Sequence, residues 1–466
     1  MKKLIAVSAI FGLAVSVRAL PVYDNFSTYG AAGTWAEVPG PPIVSYYTGA
    51  PLVGGNTAPS GESWIMYTNA PVSDLYSAYY AGDFTGYADQ NVAVVNYFAS
   101  GQPGQADAMD ASLPAGFPGP FVFGHDTSAY SVWTPGWSQT GEVNPALQNY
   151  LGGVGACLKF ASSVSGTGNK VFASFFIDVP DCTGSFGSGQ SLDHGYTAAF
   201  INSAELPSPS STANQNVLPG YAGYTPAPML FAKLNMREVS ASTWRPGAGY
   251  LDSNANSDNA TAADLTQKTI HFIVMSYEFL GGAGADAIRV WVDPANTTFA
   301  AVAEPSAGAT STPTTGDNLP DVGGFFFLAN TQDGGATPNS GVIFNSLSVG
   351  TNWAYVTGGP QFTGYGPNIT AGVGQTIVLN TTALAGGGVA CTYAWQTNNG
   401  VNSGPLITGA VPGGHTTSVG PTGSLTIANV QASDAVIYTL QVSTAITTEN
   451  SVTLSTSPQT LVAVMT

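Results

Sequence analysis

Residues able to carry acid–base chemistry are few and widely spaced in this chain. A retaining glycosidase needs two carboxyl groups about 5–5.5 Å apart, commonly supplied by one strand as Glu-x-Asp-x-(x)-Glu. Here no two of the eight glutamates lie closer than 25 residues. Asp178 and Asp181 are near neighbours, but Pro180 separates them at a strand end. Pairing of carboxylates distant in sequence stays open. The four histidines, His125, His194, His271 and His415, form no zinc motif. His125-Asp126 and Asp193-His194 are contiguous and have the partners that orient an imidazole as a base. Surface-loop histidines account for these pairs more simply, and strand parity with Ile273 and Met275 puts His271 in a packed layer. No Gly-x-Ser-x-Gly elbow supplies a nucleophile. A lyase working through His and one of the 21 tyrosines stays open.

Two stretches offer binding chemistry. "LDSNANSDNATAAD" (251–264) sets Asp252, Asn254, Asn256 and Asp258 at alternate positions, as the start of a calcium loop does. Ser257 stands where the turn glycine belongs and no glutamate closes the site, so a solvated Asx-rich turn explains the loop better. Ca2+ is the weaker alternative, and nothing else calls for a cofactor. Aromatic side chains are the stronger signal, because sugars stack apolar C–H faces on rings with a polar handle. Trp133 and Trp137 stand in a Pro/Gly segment, "YSVWTPGWSQTG", while Arg289 and Trp291 share one strand face suited to a concave surface. The competing role for each tryptophan is to pin a loop to the scaffold.

The elements that must position these residues are strands. Residues 1–19 read as a secretory leader: Lys2 and Lys3, an apolar run Leu4 to Val17, and cleavage after Ala19. The expected location is therefore extracellular or at the cell surface, with no transmembrane segment in the mature chain. Removing Lys2, Lys3 and Arg18 leaves 7 basic residues against 27 acidic ones, a balance of −20. That disfavours nucleic acid, whose phosphates need clustered Lys and Arg, and disfavours an anionic membrane surface. Charged residues make up 8% and hydrophobic ones 44%, which argues for packed cores rather than disorder.

"KVFASFFIDV" (170–179) is apolar on both alternating faces, as a strand buried between two layers must be. "TIHFIVMSYEFL" (269–280) and "AIRVWVDP" (287–294) flank a glycine-rich turn and read as a hairpin. "GGFFFLAN" (323–330) and "GVIFNSLSVG" (341–350) flank another turn cluster. If "KFASS" (159–163) and 170–179 form a hairpin, Cys157 falls opposite Phe176, and Cys182 lies roughly 20 Å further along. A disulfide tolerates about 4.4–6.8 Å between Cα atoms, so Cys157–Cys182 bonding needs a bulge or a bend at Pro180. Residues 20–150 are rich in Pro, Gly, Tyr and Trp and read as long loops decorating a sandwich. Composition changes at 356–360, the expected linker. Beyond it, "GQTIVLNTT", "ACTYAWQT", "GSLTIANV" and "AVIYTLQVST" read as strands B, C, E and F of a second sandwich. Alternation turns Cys391, Tyr393 and Trp395 inward on one, and Val436, Tyr438, Leu440 and Val442 inward on another. Leu440 stands where the immunoglobulin pattern has its second cysteine, two residues after a corner-type tyrosine.

Residues 361–466, through "YAWQTNNG" and "SLTIANVQASDAVIYTLQV", resemble the cysteine-less immunoglobulin-like modules of secreted bacterial proteins. The resemblance implies a core around Trp395, Tyr438 and Leu440, and a spacer, adhesive or docking role. "LPVYDNFSTYG", "KVFASFFIDV", "ADAIRVWVDP" and "FNSLSVGTNWAYVTGG" are similar to concanavalin-A-like, laminin-G-like (LamG) jelly rolls. That likeness is best over 150–355 and departs from the pattern over 20–150. It implies recognition of glycan or protein. The expectation is an all-β chain: a decorated concanavalin-A-like (LamG-like) jelly roll over 20–355, then an immunoglobulin-like sandwich over 361–466. Its leading function is non-catalytic recognition of extracellular polysaccharide or a surface protein. A structural or adhesive surface component is the second reading, and a polysaccharide-cleaving glycosidase or lyase the third.

Overall fold

The computed structural model describes residues 20–24, 34–38, 44–48, 63–68, 93–95, 131–134, 154–178, 195–206, 208–209, 216–217, 231–240, 242–251, 256–260, 263–267, 269–312, 318–331, 342–365, 369–386, 390–398, 403–405, 409–410, 416–419, 423–435, 437–445, 451–455 and 460–465. The leader expected at 1–19 lies outside them. Two eight-stranded antiparallel sheets account for the first part of the chain. Sheet I runs Ala309–Ser311, Ala287–Val292, His271–Glu278, Lys170–Asp178, Val342–Gly350, Ser131–Thr134 and Ala93–Val95, with Val22–Asp24 also paired to Val342–Gly350. Sheet II runs Asn256–Ala260, Thr243–Leu251, Phe231–Ser240, Gly195–Ile201, Val322–Thr331, Val154–Val164 and Ser63–Thr68, with Leu265–Thr266 added beside Thr243–Leu251.

One hydrophobic core joins the two sheets. Val171, Ala173, Phe175 and Ile177 of sheet I meet Phe200, Leu234, Phe325 and Phe327 of sheet II. Phe175 lies 5.4 Å from Phe327 and 5.5 Å from Phe344, both edge-on, the geometry the ring quadrupoles favour. The alternate residues Phe172, Ser174 and Phe176 are equally buried. Trp353 stands edge-on to Phe172, the Val356 carbonyl accepts from Ser174, and Phe299 packs on Phe272, the cross-strand neighbour of Phe176. The strand is thus buried on both sides, as its sequence implies.

The hairpin of 271–278 with 287–292 is present, pairing Ile273 with Val292 through to Glu278 with Ala287. A hairpin between 159–163 and 170–179 is not. Val154–Val164 belongs to sheet II and Lys170–Asp178 to sheet I, so the short connection crosses from one layer to the other. Gly166 and Gly168, at φ 95° and 86°, take the left-handed conformations this arch needs. The 322–331 and 342–350 strands likewise fall in opposite sheets. Cys157 therefore aligns with Phe326 and Ile65 rather than Phe176. It is a free, buried thiol, and burial pushes it far up despite the nearby Lys159 charge, leaving it inert. Cys182 lies outside the described residues.

The second core gathers Phe362, Ile377, Leu379, Trp395, Leu425, Ile427, Tyr438, Leu440 and Val442. Trp395 pairs across strands with Leu440 and donates its indole N–H to the Gly423 carbonyl at 2.8 Å. Cys391 and Tyr393 pack on the same side, and Cys391 is a free thiol. Tyr438, Leu440 and Val442 face the same core, as the sequence reading has them, while Val436 lies outside the described residues. The strand expected over "GQTIVLNTT" divides instead: Ile377–Leu379 pairs with Leu425–Ala428, and Thr381–Ala385 pairs with Pro360–Tyr365. Residues 356–360 are no loose tether, since Val356 and Thr357 are fully buried.

Truncating Phe175 leaves a cavity inside a close-packed aromatic cluster, so Phe175→Ala is expected to cost about 3–5 kcal/mol. Urea unfolding checks this. Val302→Ala, at a side chain 91% exposed, is expected to stay within about 0.5 kcal/mol of the unaltered protein.

Candidate functional site

Strand alternation sends Ile288 and Val290 into the core and leaves Arg289 and Trp291 on the outer side of sheet I. Register fixes what they meet. Glu278 lies directly opposite Lys170 on one neighbouring strand and diagonal to Arg289 on the other. The Arg289 guanidinium donates to Glu278, the Lys170 ammonium lies 3.2 Å from Glu278, and Lys170 also donates to Glu304. Four charges of alternating sign form one chain. Burial works against the Glu278 carboxylate, but hydrogen bonds from Arg289 and Lys170 outweigh it and hold the group below its ordinary range. Burial likewise opposes the Lys170 charge, and its bonds to Glu304 and Glu278 prevail, raising it.

Glu278 and Glu304, 26 residues apart in sequence, are thus brought onto one ammonium. Glycosidase chemistry needs a carboxylic acid kept protonated near neutrality by a raised pKa. Glu278 is shifted the other way and engaged by two cations, which suits a staple rather than a proton donor.

Trp291 lies beside this network but is only 3% exposed. Its ring sits 5.1 Å from Trp353 and 6.2 Å from Phe172, and its indole N–H donates to the Pro305 carbonyl at 2.9 Å. Instead of an open platform with Arg289, Trp291 is a pin that holds the 295–308 segment down. Trp133 is carried by Ser131–Thr134 in the same sheet, aligned with Ile343, the residue before the core residue Phe344. Trp133 stands four strands from Trp291 in sheet I, roughly 19 Å away at ordinary strand spacing. Its side chain, and all of Trp137, lie outside the described residues.

His271 occupies the packed position its parity implies. Its Nδ1 is 2.7 Å from Asp293 Oδ2, and its ring stands edge-on to Trp244 at 6.0 Å. Asp293 Oδ1 accepts from the Phe272 N–H at 2.8 Å, with the Asp293 backbone at φ 44°. The carboxylate therefore closes the hairpin end. His271 Nε2 and Trp244 Nε1 are buried without a partner. At the other hairpin end, Tyr277 donates to Asp286 at 2.6 Å and accepts from the Leu319 N–H at 2.8 Å. Burial, with Tyr250 and Asp286 beside it, pushes that hydroxyl well above the phenol range. His125, His194 and His415 lie outside the described residues, as do Asp252 and Asn254. Asn256 and Asp258 belong to an edge strand, paired with Leu251 and Gly249, so the second half of the Asx stretch is ladder rather than loop. Among the described residues no three His, Cys, Asp or Glu side chains group to hold a metal.

No family model matches the chain, and no curated protein matches it either. Solved structures similar to it include murine CRIg, at 18% identity and TM-score 0.19, over 23% of this chain and 98% of that one. A chimeric titin Z1Z2 is similar at 22% identity and TM-score 0.17, over 23% and 96%. A marsupial T cell receptor is similar at 11% identity and TM-score 0.18, over 65% and 71%. No helix among the described residues is long and apolar enough to cross a membrane.

The ion chain has a testable pH signature. Glu278's lowered pKa stabilises the fold above the ordinary 4.5, an effect lost as pH falls through its depressed range. Lys170's raised pKa stabilises below 10.5, an effect lost as pH climbs past its elevated range. Lys170→Met is expected to lower stability by about 1 kcal/mol at pH 7. In denaturant melts across pH, that difference should shrink toward both limits.

Proposed function

We propose that this chain is an extracellular, non-catalytic recognition protein. Its first sandwich, of concanavalin-A-like jelly-roll type, binds polysaccharide or glycan, and its second sandwich serves as a spacer. The observation that carries the non-catalytic part is the fate of the acids. The glutamates that converge, Glu278 and Glu304, are both engaged by Lys170, and Glu278 by Arg289 as well. Asp293 is held by His271, Asp286 by Tyr277 and Asp264 by Arg245. Each is a structural bond that hydrolysis would have to break.

Recognition is assigned to the half of sheet I that carries Ser131–Thr134 and Ala93–Val95, with Trp133 and the neighbouring Trp137 as stacking residues. A specific observation favours the structural or adhesive alternative as well. Trp244, Trp291, Trp353 and Trp395 are all buried and hold segments together.

A glycan array on the mature protein, with reducing-sugar release measured on the same ligands, tests the proposal. Binding without release is the expected result. Trp133→Ala and Trp137→Ala are each expected to weaken it about tenfold, the ~1.4 kcal/mol appropriate to one stacked ring. Release of reducing ends would install the enzyme reading. Absence of any glycan ligand, together with self-association, would install the adhesive one.

A further inference from the structure

The stretch joining the sandwiches, "GTNWAYVTGG" (350–359), combines two large aromatics with three glycines. Asn352 caps a single helical turn, Trp353–Val356, by accepting from the Tyr355 N–H at 2.8 Å. Every residue of that turn is buried. Its attachments to the first sandwich come from widely separated parts of the chain. The Trp353 indole donates to the Thr298 carbonyl at 2.7 Å. Tyr355 donates its hydroxyl to the Val22 carbonyl at 3.0 Å. Ser174, at the centre of sheet I, donates to the Val356 carbonyl at 2.6 Å, and the Ala300 N–H donates to Thr357 Oγ1 at 2.8 Å.

The same few residues are also held by the second sandwich. Thr444 donates to the Gly358 carbonyl at 3.0 Å, and the Gly386 N–H donates to the Gly359 carbonyl at 3.4 Å. A Cβ on Gly386 would lie 1.8 Å from the Tyr355 carbonyl oxygen, and one on Gly359 would lie 2.6 Å from that of Ala354. Gly358 sits at φ 98°, open to glycine at no steric cost. Glycine is thus needed at 386, where the backbones of the two halves touch, and at 359, where the connecting segment folds against its own helical turn. Swinging the second sandwich away would expose buried backbone and leave the Thr444 hydroxyl and the Gly358 carbonyl without each other.

We infer that the two sandwiches form one rigid body: Trp353–Gly359 is a wedge that fixes their mutual angle, with Tyr355 the residue that both halves share. The second sandwich is then a bracket holding the first at a set orientation, rather than a module on a tether. This inference is independent of which ligand the protein binds.

Pulsed electron–electron resonance on the full chain tests it. Spin labels go on Val302→Cys and Val373→Cys, with Cys182 and Cys391 replaced by alanine. A control pair on Val239→Cys and Val302→Cys lies within the first sandwich. The expected result is an inter-sandwich distance distribution no wider than the control. Gly386→Ala is expected to widen it at least twofold and to split a single calorimetric transition into two. Thr444→Val removes one bond without adding bulk and is expected to widen it less, which keeps the test decisive if Gly386→Ala fails to fold. An unaltered protein with a distribution wider than the control overturns the inference. So does Gly386→Ala, or in its place Thr444→Val, leaving the width unchanged.

Discussion

Burial of the 170–178 strand on both of its faces is the constraint on which the rest of the structure depends. A strand of alternating polar and apolar residues needs one partner layer, whereas one carrying Phe172, Phe175 and Phe176 needs two. Sheet II supplies the first. On the other side, short segments at 295–300 and 353–356 are laid over the outside. Ser174 is the polar exception on that outer side, and its hydroxyl is spent on the Val356 carbonyl, tying cover to sheet. Each aromatic ring is worth roughly 3–5 kcal/mol on truncation, comparable with the whole net stability of an ordinary domain. The cover is therefore part of the fold.

The chain's few charges follow the same economy. With 8% charged residues, several of the described ionisable groups sit at the ends of strand pairs. Asp293 closes one end of the 271–292 hairpin, Asp286 with Tyr277 the other, and the Lys170–Glu278–Arg289 chain ties three adjacent strands. Hydrogen bonds from two cations give the Glu278 carboxylate a lowered pKa and a fixed position. Both properties oppose the use of Glu278 as a general acid.

Strand identity was legible in the sequence because alternation is local: Trp395, Tyr438, Leu440 and the two-faced 170–178 strand could be read residue by residue. Layer assignment was not. A glycine-rich connection such as Ser165 to Asn169 reads alike whether it folds a strand back onto its neighbour or carries it across the core, and the choice depends on partners more than a hundred residues away. Trp291 has the alternation of an outward ring. Only residues 305 and 353, supplied from elsewhere in the chain, determine that outward here means covered. The convergence of Glu278 and Glu304 on Lys170 is not legible for a related reason, since spacing within one strand says nothing about a loop that returns over the sheet. The acid, His–Asp and Tyr–Asp contacts all carry one weak signal, an ionisable residue within two positions of a strand end.

The divided strand at 377–385 links these themes. Its first half pairs with Leu425–Ala428 inside the second sandwich, and its second half, after Asn380, pairs with Pro360–Tyr365, the segment emerging from the wedge. Phe362 and Ala383 on these partners belong to the second core. The second sandwich therefore completes its core with residues whose position is set by the cover of the first. Cooperativity follows from that geometry: loosening the cover over Phe172 and Phe176 displaces Pro360–Tyr365, and with it the neighbours of Trp395. A disulfide would hold the second sandwich together from within, and Leu440 occupies the place where one cysteine would stand. What compensates is attachment from outside, through a strand anchored in another core.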